Sequence, residues 1–409
     1  MPKLHSRVQN LINDDHTVKL LLGSTIIMYP EQGYALQIVY AILILVLLTK
    51  QKIEPYFDKN DLSLIWPILI YTTTIIAFTA IHRGDSPFHL SIQHWVISIV
   101  IYKGLINVKI ETKLLAIYIG ITAFIYGAIS FYEINFLKIG RSNGGINAIN
   151  YGNAATLFGS LALTFSIVNN KWKIRYRALL CLSSICAYYA SITSLTRGAW
   201  LSVPPVIFLI LVLLATNLKR ISATKFTMIF LGMIAIIFAL YSYSTPLKTR
   251  VDIAYNQATA YMSDGKLSSV GARLEMWRLA WLSFLENPIS GHSRESLPTT
   301  HSAIVEAGKI KLEVLRFTHS HSDYFDHLAY TGLAGIITFI LLHLAMATIF
   351  FRSMDKSMEP DIPTLGLVLV ASFSIFSLTQ SFHHHASGVG LFSFLMAVLA
   401  SQIKSRSRW

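Results

Sequence analysis

The chain is 409 residues long, 53% hydrophobic and only 13% charged, with a formal charge of +13 at neutral pH and a mean hydropathy of +0.52. A soluble domain carries about a quarter charged residues, so half that share with positive hydropathy excludes an ordinary soluble globule and indicates an integral membrane protein. An excess of cations would suggest nucleic acid in a soluble protein; here its distribution is topological, and no nucleic-acid partner is expected.

From the start, Met1 to His16 is polar, without a short apolar core or a small-residue cleavage site. No cleaved signal peptide is therefore expected, and the first helix serves as an anchor. Twelve apolar runs follow, at 18–31, 34–49, 63–81, 91–107, 114–131, 149–168, 176–195, 199–216, 224–243, 328–350, 362–382 and 389–404. All should be helices, because lipid leaves irregular backbone without hydrogen-bond partners. The first two are short and separated by Pro30-Glu-Gln-Gly33, which is compatible with a re-entrant pair. Cys181 and Cys186 both fall inside an apolar run, where they read as small hydrophobes and not as a disulfide or metal framework.

The expected fold is all-α and polytopic, with about twelve transmembrane helices. Spans one to nine occupy 1–243, a large hydrophilic loop with amphipathic helices occupies 244–327, and spans ten to twelve occupy 328–409. With both termini inside, the inner segments collect twenty lysines and arginines, and the short outer loops hold only Arg83, Lys138, Arg141 and Arg197. That asymmetry fixes the orientation.

A cation in a short outer loop opposes the topology signal, so these exceptions are candidates for function. Arg197 sits in a tight turn, Thr193-Ser-Leu-Thr-Arg197-Gly-Ala-Trp200. It reads either as a snorkelling side chain or, as we favour, an anion-binding group. Arg141 opens a Gly- and Asn-rich stretch running to Asn150 and Gly152 at a helix start. Flexible backbone at a helix N-terminus suits phosphate, and asparagines such as Asn150 suit sugar hydroxyls. Arg83, in His82-Arg-Gly-Asp-Ser86, either pairs with Asp85 or joins the same site.

The large outer loop carries an amphipathic helix over Ser269 to Leu285, stopped by Pro288 and Gly291. Leu274, Trp277, Trp281 and Leu285 form one apolar stripe suited to the membrane surface, where lipids are partners. Arg273 and Arg278 lie on this helix, and Arg273 falls near Trp277, facing headgroups or a lipid-linked pyrophosphate. A second helix is expected over Ser302 to Phe317.

The loop closes on Thr318-His-Ser-His321-Ser322-Asp323-Tyr-Phe-Asp326-His327, directly before span ten. Arginine offers a rigid, permanently charged fork that matches phosphate oxygens, so Arg197, Arg273 and Arg141 can hold a pyrophosphate leaving group. Histidine is the side chain best placed to take a hydroxyl proton near neutral pH, which makes His321 the candidate base. Ser322 and Asp323 are candidate caps beside it. The helix end lowers the pKa of His321, and Asp323 or Asp326 would oppose that shift. Gly332 and Gly335 permit close helix packing or passage of a lipid chain. His383-His384-His385 lies at the same face, yet no paired carboxylate motif accompanies it, and neither metal nor cofactor is expected.

The pattern His321-Ser322-(9)-Gly332-Leu-Ala-Gly335, the arginine after span seven and the arginine heading the loop helix together resemble the bacterial O-antigen ligase family over nearly the whole chain. The resemblance implies a GT-C-like membrane fold shared with O-antigen polymerases and O-oligosaccharyltransferases. It implies an inverting, metal-independent glycosyltransferase of the Gram-negative inner membrane, with its active site facing the periplasm. The donor would be O-antigen on undecaprenyl pyrophosphate and the acceptor lipid A–core. His321 would be the essential histidine, and Arg197 and Arg273 the pyrophosphate-binding arginines. Ser322 stands where the family commonly has Asn, Tyr330 where an acidic residue is frequent, and the turn at Asn287–Ser293 has a single glycine, Gly291. Arg141-(10)-Gly152 also fits a pattern attributed to the polymerases. A polymerase, a transferase onto protein and a twelve-span transporter are the competing readings, although no six-plus-six duplication typical of transporters is visible.

Overall fold

The computed structural model describes residues 15–30, 34–50, 58–83, 87–216, 222–243, 245–354 and 360–407. The residues before Asp15, the Glu31–Gly33 connection and Asp85 lie outside them, and with these the expectations about the leader, the re-entrant turn and the Arg83–Asp85 pair. Among the described residues the fold is all-helical.

Every apolar run is a helix. They are α1 (Asp15–Ile27), α2 (Tyr34–Lys50), α3 (Lys59–Ile81), α4 (His89–Leu105), α5 (Thr112–Asn135), α6 (Ala148–Val168), α7 (Ile174–Thr193), α8 (Arg197–Ala215) and α9 (Ala223–Tyr243). The loop region contributes α10 (Thr245–Asp264), α11 (Ser269–Glu286) and α12 (Ser296–Glu306), and then come α13 (Asp323–Met354), α14 (Asp361–Thr379) and α15 (Ala386–Ser407). Seven of these are long and apolar enough to cross a membrane: those over Asp61–Ile81, Thr112–Asn135, Ala148–Val168, Arg197–Ala215, Asp323–Met354, Asp361–Thr379 and Ala386–Arg406. Trp66, Ile76, Phe124, Ile185, Leu201, Phe208, Ile340 and Leu344 are exposed in mid-helix, as expected of surfaces that face lipid. The chain is a multi-pass membrane protein.

The helices form a layered bundle. α6, 89% buried along its span, and α15, 83% buried, lie inside, whereas α3, 33% buried, lies outside. α6 packs on α5, α7, α8 and α14; α13 packs on α3, α11 and α14; α15 packs on α4 and α14. One end is clamped by buried charge. Asp61, 1% exposed, accepts the Tyr102 hydroxyl at 2.8 Å and pairs with Lys103 at 3.3 Å and Lys404 at 3.7 Å. Gln402 accepts the Ile110 amide at 2.8 Å, and Arg406 donates to Thr112 at 2.8 Å. A buried carboxylate is tolerable only with such pairing, and here it ties α3, the α4–α5 turn and α15 together.

One expectation about the loop needs correction. The second loop helix is α12, Ser296–Glu306, followed by a separate 3-10 turn at Leu312–Arg316, where Ser302 to Phe317 was expected. Gly308, at φ +69°, ends α12 with its amide bonded to Val305 O at 2.8 Å, a C-cap that a continuous helix would destroy. α11 packs on the protein by a face beside the stripe expected at the membrane surface, and the far end of that stripe stays exposed. Ala272, Met276, Leu279 and Ser283 are buried, whereas Trp281 is 45% and Leu285 54% exposed. The inward face carries small and large side chains alike, Met276, Leu279 and Phe284 among them, where α13 and α12 approach, and Trp277 stacks inward on Phe325.

Gly332 interrupts α13 with φ +58° and ψ −155°, and Gly291, at φ +65°, faces it from the turn after α11. A Cβ on Gly332 would lie 2.5 Å from Ile289 O, and one on Gly291 would lie 2.5 Å from Tyr330 C. Leu333 N donates to Pro288 O at 2.8 Å and His292 N to Ala329 O at 2.9 Å. The turn thus docks backbone to backbone on α13, fixing α11 against the start of that helix.

Candidate active site

At the end of the bundle opposite the Asp61 clamp, four connections converge. The first joins α5 to α6. Glu133, 5% exposed, accepts the Asn143 amide at 2.9 Å, the Gly144 amide at 2.8 Å and the Ser142 hydroxyl at 2.5 Å. This shapes the Arg141 loop. Asn147 then caps α6 by accepting from Ile149 N at 2.8 Å.

The second connection joins α7 to α8 and is paired with the first. Ser142 N donates to Thr193 O at 3.1 Å, and Arg141 Nε donates to Ser194 O at 2.6 Å. Thr196 Oγ1 donates to Ala148 O at 2.9 Å. Arg197 is therefore delivered at the first turn of α8, beside the Arg141 loop, with its side chain half-buried.

The third contribution is Arg273, in the first turn of α11, whose N-cap is Ser268. Burial and then the charges of Arg197 and Arg141 push the Arg273 guanidinium below its usual range. Like charges held this close repel one another, a cost that a neighbouring anion would relieve. Three arginines from separate parts of the chain thus act on one another.

The histidine loop is the fourth. His321 has φ +54°, uncommon for a residue with a Cβ, and its neighbours hold it there. Ser320 N donates to Asp326 Oδ1 at 2.8 Å, Trp277 Nε1 donates to Ser320 O at 3.1 Å, and the His321 amide donates to His319 Nδ1 at 3.2 Å. Trp277 also stacks on Phe325 at 5.2 Å. The His321 ring meets that of His319 edge-on at 4.3 Å, and its Nδ1 lies 3.1 Å from Gln380 Oε1 at the end of α14. Burial, His319 and Arg273 push His321 down to about 4, against the upward pull of Gln380 and Asp326. Near neutral pH it is therefore an uncharged imidazole, able to accept a proton.

The remaining sequence candidates separate into different positions. Ser322, 1% exposed, donates its hydroxyl to Ser377 O at 3.1 Å. Asp323, fully buried, accepts from Ser377 Oγ at 2.7 Å, Phe382 N at 3.1 Å and His383 N at 2.9 Å. Both fasten the histidine loop to α14 and to the turn after it. Asn150 turns inward, donating to Ser387 Oγ at 3.1 Å. Arg278 is exposed and acts on Tyr261, while Arg83 is exposed in the turn that His82 ties to Ser290 O at 2.9 Å. The cations that act on Arg273 are Arg197 and Arg141.

Sequence reasoning did not single out Glu133 or Gln380. Neither belongs to a motif, and Gln380 is 59 residues from the histidine it meets. His319, two residues before His321, is its ring neighbour. Among the described residues, no group of three or more His, Cys, Asp or Glu side chains is arranged to hold a metal ion.

Residues 178–340, which carry Arg197, Arg273, His321 and both motif glycines, match the family model described as O-antigen ligase. The chain is 28% identical over 400 residues to an uncharacterised protein of Haemophilus influenzae, covering 92% of this chain and 97% of that one. It is 24% identical over 388 residues, 90% of each chain, to a protein of Escherichia coli K12 named O-antigen ligase. Motif, helical order and end-to-end similarity agree in likening the chain to the O-antigen ligase family.

Proposed function

We propose that this protein transfers O-antigen polysaccharide from undecaprenyl pyrophosphate to lipid A–core at the periplasmic face of the Gram-negative inner membrane. The observation that carries the reading is the convergence of Arg141, Arg197 and Arg273 with a neutral His321 at one end of the bundle. His321 takes the proton from an acceptor hydroxyl, and the oxygen attacks the anomeric carbon of the donor sugar. The bond from that carbon to the pyrophosphate oxygen breaks as the new glycosidic bond forms, a single displacement that inverts the carbon. The arginines bind the departing pyrophosphate and neutralise the charge it gains. Fixed guanidinium charges meet the leaving group, so the step calls on no metal. The exposed Trp281 and Leu285 suit a helix resting among headgroups, where a lipid-linked donor arrives.

The test is transfer in proteoliposomes holding undecaprenyl pyrophosphate–glycan, with and without lipid A–core, in the presence of a chelator. Glycan on lipid A–core is the expected product, with the rate of Arg273→Lys lowered by about 10²-fold because a point charge replaces the bidentate fork. Longer carrier-linked chains would instead make the protein a polymerase, the reading that the Arg141-(10)-Gly152 spacing allows. Transfer to neither glycan acceptor would turn attention to protein acceptors or transport.

A further inference from the structure

We propose that Gln380 is the positioning residue of the reaction: its side-chain oxygen accepts the Nδ1 proton of His321, fixing the tautomer in which Nε2 is the base. This rests on the reading of His321 as the group that activates the acceptor. The two side chains meet at 3.1 Å, and Gln380 is 1% exposed. It occupies the extended residue just past α14. Asp323 brackets that residue, accepting from Ser377 Oγ before it and from the amides of Phe382 and His383 after it. The chain on either side of Gln380 is therefore held by the same carboxylate that anchors the histidine loop.

The chemistry constrains which way the amide faces. With Oε1 toward the ring, Nδ1 carries the proton and the Nε2 lone pair is available. Reversed, the amide NH₂ would donate to Nδ1, the proton would reside on Nε2, and the ring would have no basic atom left for a hydroxyl. The neutral amide also differs from the carboxylate that orients a histidine in many hydrolases, because it holds the tautomer without adding a full charge to stabilise the imidazolium. The groups around His321 are His319 on its own loop, Asp326 on α13, Arg273 on α11 and His385 after the turn that follows α14. In that setting the amide leaves the base neutral while its angle is fixed.

The experiment compares Gln380→Leu and Gln380→Glu with wild type in the proteoliposome assay, separating kcat from KM across pH, with His321→Ala alongside. Leucine has similar bulk but no acceptor. We expect its kcat to fall at least 10-fold, within the roughly 10²–10⁴-fold that a general base contributes, with the KM of both substrates nearly unchanged. Glutamate keeps the acceptor and adds a charge, so activity persists at pH 8 while the acid limb of the profile moves up by about one unit or more. A residue that merely supported the fold would not move that limb. Wild-type kcat in Gln380→Leu, or an unmoved acid limb in Gln380→Glu, overturns the proposal. If Gln380→Leu does not fold, the glutamate profile decides alone. Activity in His321→Ala is a different failure, that of the base itself.

Discussion

Replacing Gly332 with alanine tests how the loop helix is held against the histidine. The native φ of +58° with ψ −155° is essentially open only to glycine, and a residue with a Cβ there costs about 1–3 kcal/mol. The new Cβ would also lie 2.5 Å from Ile289 O and 2.7 Å from Pro288 O, so the docked turn or the helix must retreat. Either movement breaks the bonds from Leu333 N to Pro288 O and from His292 N to Ala329 O, each contributing about 0.5–1.5 kcal/mol. Docking therefore weakens by about 2–6 kcal/mol. α11 carries Arg273 and Trp277, and a shift of about 1 Å at reacting groups can lower the rate by about 10². Purified Gly332→Ala should show a lower thermal unfolding midpoint in detergent and a kcat reduced by roughly that factor. Gly291→Ala, acting from the facing side, should do the same, and the double variant should fall short of the sum because both break one contact. Wild-type rate and stability in Gly332→Ala would show that the turn is not docked on α13 as described.

Glu133→Ala leaves the Asn143 and Gly144 amides without their acceptor, at about 1–3 kcal/mol each if they stay buried, and frees the loop bearing Arg141. Michaelis kinetics should show donor KM rising more than kcat falls, and an unchanged KM would detach Arg141 from donor binding. Stability should also depend on pH. Burial pushes His321 and His301 down to about 4 and lowers His319, His384 and His385. Between pH 6.5 and about 4 the unfolded chain then binds more protons than the folded one. Stability present above 6.5 is accordingly lost as pH falls through that window. Thermal midpoints measured from pH 7.5 to 4.5 should decline progressively, and replacing His301 with Leu should flatten the slope. A level profile would mean that these rings are not buried as neutral groups.

The sequence alone determined the apolar helices, because lipid imposes a local rule: each span must satisfy its own backbone and show apolar side chains outward. Every expected run from 18–31 to 389–404 is accordingly a helix. α11 was also legible, since its apolar spacing and the Pro288–Gly291 stop mark it out, and so was the histidine motif. The face of α11 was not, because Ala272 and Leu279 pack inward only through the partners that α12 and α13 supply. Nor was the meeting of Arg141, Arg197 and Arg273, the clasp of Gly291 on Gly332, or the contact of Gln380 with His321. Each joins connections far apart in the chain, and their alignment depends on the angles and depths at which whole helices pack, a property of no single segment.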